Sequence, residues 1–162
     1  MALNVLRLLR RARFLSTRRR IEWYPPFWLM GVKVVELDKD WSKVRLRLPL
    51  TAFSRNLGDT MFGGYQAAIA DPIAAIACNK QFPGYSVWTR SLSVDFELPG
   101  DSDLELRFDF DAAIRTQIES QLKVKGRSTP EFEYGLYRAD GQRCTRIHCR
   151  VAIRPRDYLK SR

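Results

Sequence analysis

The residues of this chain best suited to chemistry lie between Asn56 and Pro72, in NLGDTMFGGYQAAIADP. A turn-forming run (Asn56, Gly58, Asp59, Thr60) leads into the glycine pair Gly63-Gly64, and an alanine-rich stretch then reaches Asp71-Pro72. Paired glycines let a backbone approach a ligand closely. At the start of a helix their N–H groups have no partner within the helix and sit at its positive end. Such donors polarise a carbonyl oxygen or hold an anion. A carboxylate two turns on, in apolar surroundings, is a candidate base or nucleophile.

These groups need a scaffold. Residues 62–82 carry apolar side chains on all sides, which predicts a buried helix. Pro72 inside it removes one backbone donor, predicting a kink that frees the carbonyl of Ala68. The flanking segments alternate as strands do. VKVVEL (32–37) and KVRLRL (43–48) form a hairpin, with Val44, Leu46 and Leu48 on one face of the second strand. Residues 86–98 place Trp88, Leu92, Val94, Phe96 and Leu98 on one face, with Arg90 among them. Residues 103–110 alternate Leu104, Leu106, Phe108 and Phe110 against Glu105, Arg107 and Asp109. Residues 111–124 read as an amphipathic helix capped by Asp111 and closed by Gly126. A last hairpin, 130–138 and 143–153, turns at Asp140-Gly141. The order β-β-α-β-β-α-β-β gives an α+β fold in which a curved antiparallel sheet wraps the apolar helix.

The 162 residues suit one domain, 25–162, preceded by a basic arm, 1–24. Residues 1–20 hold seven arginines and no acid, leaving +3 of the formal +10 charge to the rest. Within the arm, Leu3, Leu6, Leu8 and Leu9 recur among arginines as in a short amphipathic helix. It fits an anionic membrane surface, an arginine-rich mitochondrial presequence, or a solvated helix on the domain edge. Tyr24-Pro25-Pro26 ends it. The arm alone is a weak case for nucleic acid, since no helix-turn-helix or aromatic RNA-binding motif accompanies it. Three cysteines without a secretory signal fit a reducing compartment: the cytoplasm, with the membrane periphery or the mitochondrial matrix as variants. Cys144 and Cys149, five apart, fall on opposite faces of a strand. With one histidine, His148, no metal-ligand spacing is present.

At these residues the sequence resembles the hotdog-fold thioesterase superfamily, in which a curved antiparallel sheet wraps one long central helix. Asn56 matches the family's Asn, and Gly63-Gly64 match the pair that follows its His. Asp71 falls on its acid, nine residues after Phe62, and Asn79 on an Asn that ends the helix in phenylacetate-pathway-type members. The sequence is more similar still to an uncharacterised thioesterase-like hotdog family, through Phe62-Gly63-Gly64, Asp71-Pro72, Val87-Trp88, Arg90, Asp95-Phe96 and Pro99-Gly100. This similarity runs from about Pro25 to Pro155; from the wider thioesterase superfamily the chain departs at Phe62, where many members carry the His.

The resemblance implies an acyl-thioester hydrolase acting on acyl-CoA or a carrier thioester, working as a homodimer or dimer of dimers, with coenzyme A entering only as part of the substrate. It puts the glycine pair of one subunit opposite the acid of another. Gly64 would polarise the thioester carbonyl, and Asp71 would activate water or attack directly. Asn56 would orient the carbonyl, the water or the glycine turn. Phe62, Gly63 and Arg90 would contact substrate. Arg90 would meet a coenzyme A phosphate, or else form an ion pair with Asp71 or Asp95. The replaced His also leaves open a non-catalytic protein that binds acyl-CoA or acyl chains.

Overall fold

A computed structural model describes residues 16–158. Six strands form one antiparallel sheet in the order β1-β2-β4-β5-β6-β3. They are β1 (Lys33–Leu37), β2 (Lys43–Leu48), β3 (Tyr85–Phe96), β4 (Leu104–Asp109), β5 (Glu131–Tyr137) and β6 (Arg143–Pro155). The helices are α1 (Thr17–Glu22), α2 (Pro25–Leu29), α3 (Gly63–Gln81) and α4 (Ala112–Lys125). The expected alternation holds in β2 and β4: Val44, Leu46, Leu48, Leu104, Leu106 and Phe108 are buried. Asp111 caps α4 by accepting the Ala113 N–H at 2.6 Å, and Gly126 ends it at φ 63°.

The central helix α3 lies against β3, β6 and β4. Gln66, Ile69, Ala70, Ile73, Ala74, Ala77 and Cys78 are buried and follow helical spacing along one stripe. Each isoleucine buried there stabilises the fold by about 1.5–3 kcal/mol. The opposite stripe corrects the expectation of a helix buried all round, because Gly64, Ala68, Asp71 and Asn79 are exposed. A single chain covers one side of α3 only. α3 also runs through Pro72 without interruption. Pro72 leaves the Ala68 carbonyl without its helical donor, and Ala68 lies on the exposed stripe.

A second correction concerns β3. Its register against β6 shifts between Thr89 and Ser91, leaving Arg90 as a bulge. One extra residue reverses which side chains face the core. Val87 and Thr89 lie opposite the buried Ile153 and Val151, whereas beyond the bulge Leu92 and Val94 lie opposite Cys149 and Ile147. Trp88, opposite Ala152, is therefore on the other face from Leu92, Val94 and Phe96. The strand stops at Phe96, and the N–H groups of Glu97 and Leu98 donate to the Cys144 carbonyl. Cys144 and Cys149 are both buried in the same core; Cys144 falls where the β5–β6 register skips a residue, so the alternation that would set it on the opposite face does not run through it. His148 is on the outer face, 3.8 Å from the Glu133 carboxylate.

The two sheet edges differ. Along β1, α1 seats Ile21 in the core, donates from the Arg18 guanidinium to the carbonyls of Val34 and Val35, and accepts the Val34 N–H on Glu22 at 2.9 Å. Residues 17–22 of the arm are thus docked on the domain. The rest of the amphipathic stretch, residues 3–15, lies outside the described residues. At the other edge β3 pairs only with β6, so one side of a twelve-residue strand is unpaired among the described residues. No described helix is long and apolar enough to cross a membrane.

Candidate functional site

The approach to α3 is tied down by backbone contacts. Met61 N–H donates to the Gly100 carbonyl and Phe62 N–H to the Ser54 carbonyl, each at 2.7 Å. The buried Gln66 amide donates to the Met61 carbonyl at 3.1 Å and accepts from the Thr145 hydroxyl. Phe62 is the N-cap residue and offers no side-chain cap. The N–H groups of Gly63 and Gly64, which no helical carbonyl can reach, find no acceptor among the described residues.

Two aromatic rings crowd these positions. A Cβ on Gly63 would stand 2.9 Å from the Phe96 ring, and one on Gly64 would stand 2.4 Å from the Phe62 ring. Both rings are about half exposed. The pair thus lies against two rings that have room to turn, and it presents free amides.

Asp71 is exposed on α3 and lines an open groove of about 540 Å³ with Pro72, Ala75, Ile76 and Asn79 from the helix and Val87, Trp88 and Thr89 from β3. Its backbone carbonyl accepts the Thr89 hydroxyl at 2.8 Å, and the neighbouring Ala70 carbonyl accepts the Tyr134 hydroxyl at 2.8 Å. Tyr134 and Cys149 sit beneath this turn. Burial, with the nearby Asp71 charge adding to it, pushes the Cys149 thiol up to about 11 and the Tyr134 hydroxyl above its usual range.

The sequence-predicted residues separate within one protomer. Gly64 and Asp71 share the exposed stripe but are seven residues apart, about 10 Å along the axis. One substrate carbonyl cannot meet both there. Asn56 is spent on its own loop: its Oδ1 accepts the N–H groups of Gly58 and Thr60 at 2.9 and 3.2 Å, and its amide donates to the Thr60 hydroxyl at 3.0 Å. Arg90 is exposed in the bulge and forms no ion pair, with Asp71, Asp95 or any other acid, among the described residues. Thr89 and Tyr134 were not singled out by sequence. The polar run Thr89-Arg90-Ser91, which breaks the apolar alternation, is the signal that marks the bulge and hence Thr89. Among the described residues no cluster of His, Cys, Asp and Glu has metal-binding geometry.

A six-stranded antiparallel sheet around one helix, with paired glycines at that helix's start, is the hotdog fold, and solved structures agree. A probable thioesterase of unknown function from Pseudomonas aeruginosa superposes with a TM-score of 0.76 at 19% identity, over 86% of this chain and 96% of that one. A thioesterase from Haemophilus influenzae gives 0.64 at 10% identity, over 86% and 91%. The Escherichia coli PaaI protein of the phenylacetic acid degradation operon gives 0.57 at 17% identity, over 76% and 80%. Over residues 13–153 the chain belongs to the family described as a domain of unknown function, DUF4442. A search of curated proteins finds no match.

Proposed function

We propose that this chain is an acyl-thioester hydrolase whose site is completed by a second copy of itself. The observation that carries this reading is the placement of Asp71: exposed, on a groove beside an unpaired sheet edge, and about 10 Å from the nearest free glycine amide of its own chain. A two-fold partner along β3 would bring its own α3 alongside and set its Gly64 against this Asp71. The small residues Ala68, exposed, and Ala75, half-buried, suit such an approach. So do the exposed apolar side chains Phe53, Leu57, Phe62 and Phe96 near the amino end of α3. The names of the structural neighbours support the same chemistry.

In this mechanism the thioester oxygen accepts from the Gly64 N–H, a donor worth ~3 kcal/mol of barrier at such a site. The partner's carboxylate at position 71 takes a proton from water as the water oxygen bonds to the carbonyl carbon. Collapse of the tetrahedral intermediate breaks the C–S bond. The thiolate leaves and takes up a proton, and the free acid remains. Arg90, exposed on the bulge, is available to a phosphate of a coenzyme A substrate.

The test is complementation between two inactive chains. Asp71→Asn and Gly64→Val are each expected to abolish hydrolysis of acyl-CoA substrates. Coexpressed, they should recover about one quarter of wild-type turnover, since half the dimers are mixed and each mixed dimer holds one intact site. A mixture as inactive as its parts, or a monomeric wild type, would overturn the reading. A second reading, an acyl-CoA or acyl-chain binder without turnover, is favoured by one observation: the Phe62 ring lies over Gly64. Saturable acyl-CoA binding with no hydrolysis across chain lengths would establish it instead.

A further inference from the structure

The two short helices before the sheet present a surface that neither the fold nor the proposed reaction uses. Phe27 in α2 and Met30 just after it enter the core, while Trp28 and Leu29 are 66% and 69% exposed. Trp23, the residue that ends α1, is 54% exposed. Exposed tryptophan and leucine so close in sequence cost solubility unless something apolar meets them.

The charge around them is one-sided. Among the first 35 residues Glu22 is the single acid, against seven arginines and Lys33. That acid is engaged inward, accepting the Val34 N–H at 2.9 Å and lying 3.9 Å from Arg18. Arg19 and Lys33 are exposed on the same segment. The chain leading into α1 adds Leu3, Val5, Leu6, Leu8 and Leu9 among Arg7, Arg10, Arg11 and Arg13.

We infer that α1 and α2 form a docking surface for an anionic lipid bilayer, to which the sequence before them adds positive charge. Tryptophan prefers the boundary between headgroups and acyl chains. Arginine extends its charge to the headgroups while its stem stays in apolar contact, and cationic segments are drawn to anionic leaflets. Both components are present in this sequence. Each alone is a weak anchor; together they give the two signals that stable peripheral attachment needs. The abundance of leucine beside the arginines favours lipid over nucleic acid, whose phosphates reward charge without an apolar face. Arg18 and Glu22 fix α1 on the β1 edge, so the surface is carried by the folded domain. The inference does not depend on the hydrolase reading.

The experiment is flotation of the full chain with vesicles of phosphatidylcholine containing phosphatidylserine, against phosphatidylcholine alone, with a single-stranded RNA as competitor. The wild type should float with the anionic vesicles only. Trp23→Ser/Trp28→Ser/Leu29→Ser should weaken binding at least about tenfold with unchanged circular dichroism and Tm, because all three side chains are exposed. Replacing Arg7, Arg10, Arg11 and Arg13 by Gln should weaken it by about five-fold for each arginine that reaches the surface. The proposal is overturned if the wild type stays unbound, if the triple variant floats as well as the wild type, or if RNA displaces the vesicles and binds the triple variant equally. It is also overturned if the triple variant abolishes a concentration-dependent self-association while lipid binding is absent.

Discussion

The Thr89 hydroxyl donates to the backbone carbonyl of Asp71 across 2.8 Å, tying the bulged edge strand to the turn of α3 that bears the exposed carboxylate. The bulge at Arg90 makes the contact possible, because it places Thr89 on the core face while Ser91 pairs with Arg150 on the outer one. Thr89→Val keeps the shape and removes the donor. A bond of this kind contributes about 1 kcal/mol net. The variant should lower the kcat of acyl-CoA hydrolysis by about five-fold with KM little changed, and Thr89→Ser should restore it. An equal loss in Thr89→Ser would show that the hydroxyl alone does not carry the effect, and no loss in Thr89→Val would show that the bond is dispensable.

Asp71 itself should matter for turnover and not for folding. It is exposed on α3, and substitutions at such positions usually alter stability by less than ~0.5 kcal/mol. Asp71→Asn is expected to cost at least ~100-fold in kcat as a lost general base while leaving urea unfolding unchanged. Ile73→Ala, two residues on and facing the buried stripe, should instead cost stability, at about 2–5 kcal/mol. The two denaturation midpoints decide it.

The glycine pair allows a double-mutant cycle. Alanine inside a helix normally gains about 0.5–1 kcal/mol over glycine. At position 64 that gain should vanish in the wild-type background, because the new Cβ meets the Phe62 ring at 2.4 Å. Removing the ring should release it: Phe62→Ala/Gly64→Ala should be more stable than Phe62→Ala alone by up to ~1 kcal/mol. Additive effects would mean that the ring moves aside freely.

Alkali should weaken the fold more steeply than acid. Burial raises the thiols of Cys78, Cys144 and Cys149, the last to about 11, and raises the Tyr134 hydroxyl as well. Unfolded thiols titrate near ~8.5. The folded chain therefore holds protons that the unfolded chain releases. This stabilisation is whole below that value and is lost as pH rises toward 11, the value for Cys149. On the acid side Asp40, Glu97 and Asp140 are held below the usual range by hydrogen bonds from Ser42, Arg143 and Arg138 respectively. Their contribution is present above the unfolded carboxylate range and lost as pH falls through their own lower values, but all three are open to solvent and the slope should be shallow. Tm measured across pH checks this, and Cys78→Ala should flatten the alkaline limb.

Much of the fold was legible because local chemistry and global packing agree in it. The clean alternation of β2 and β4 and the Asp111 and Gly126 caps need no knowledge of the rest of the molecule. The bulge at Arg90 was not, since alternation assumes an unbroken register and one inserted residue exchanges the faces beyond it. The helix α2 was missed because Pro25-Pro26 reads as a breaker, although proline suits the first turn of a helix. The exposed stripe on α3 was missed for a different reason. Apolar residues on all sides report that a helix is to be covered, not by how many chains. Of the candidate site, the glycines and Asp71 could be found from types and spacing. The loop-bound amide of Asn56 and the supporting hydroxyls of Thr89 and Tyr134 depend on contacts distant in sequence.

The sealing of β1 by Arg18 and Glu22 has a consequence for assembly by strand addition. Among the described residues each chain brings one open rim, that of β3. Joining two rims consumes both, so a pair formed this way has nowhere to add a third copy, and growth that would otherwise continue into a fibre halts at two.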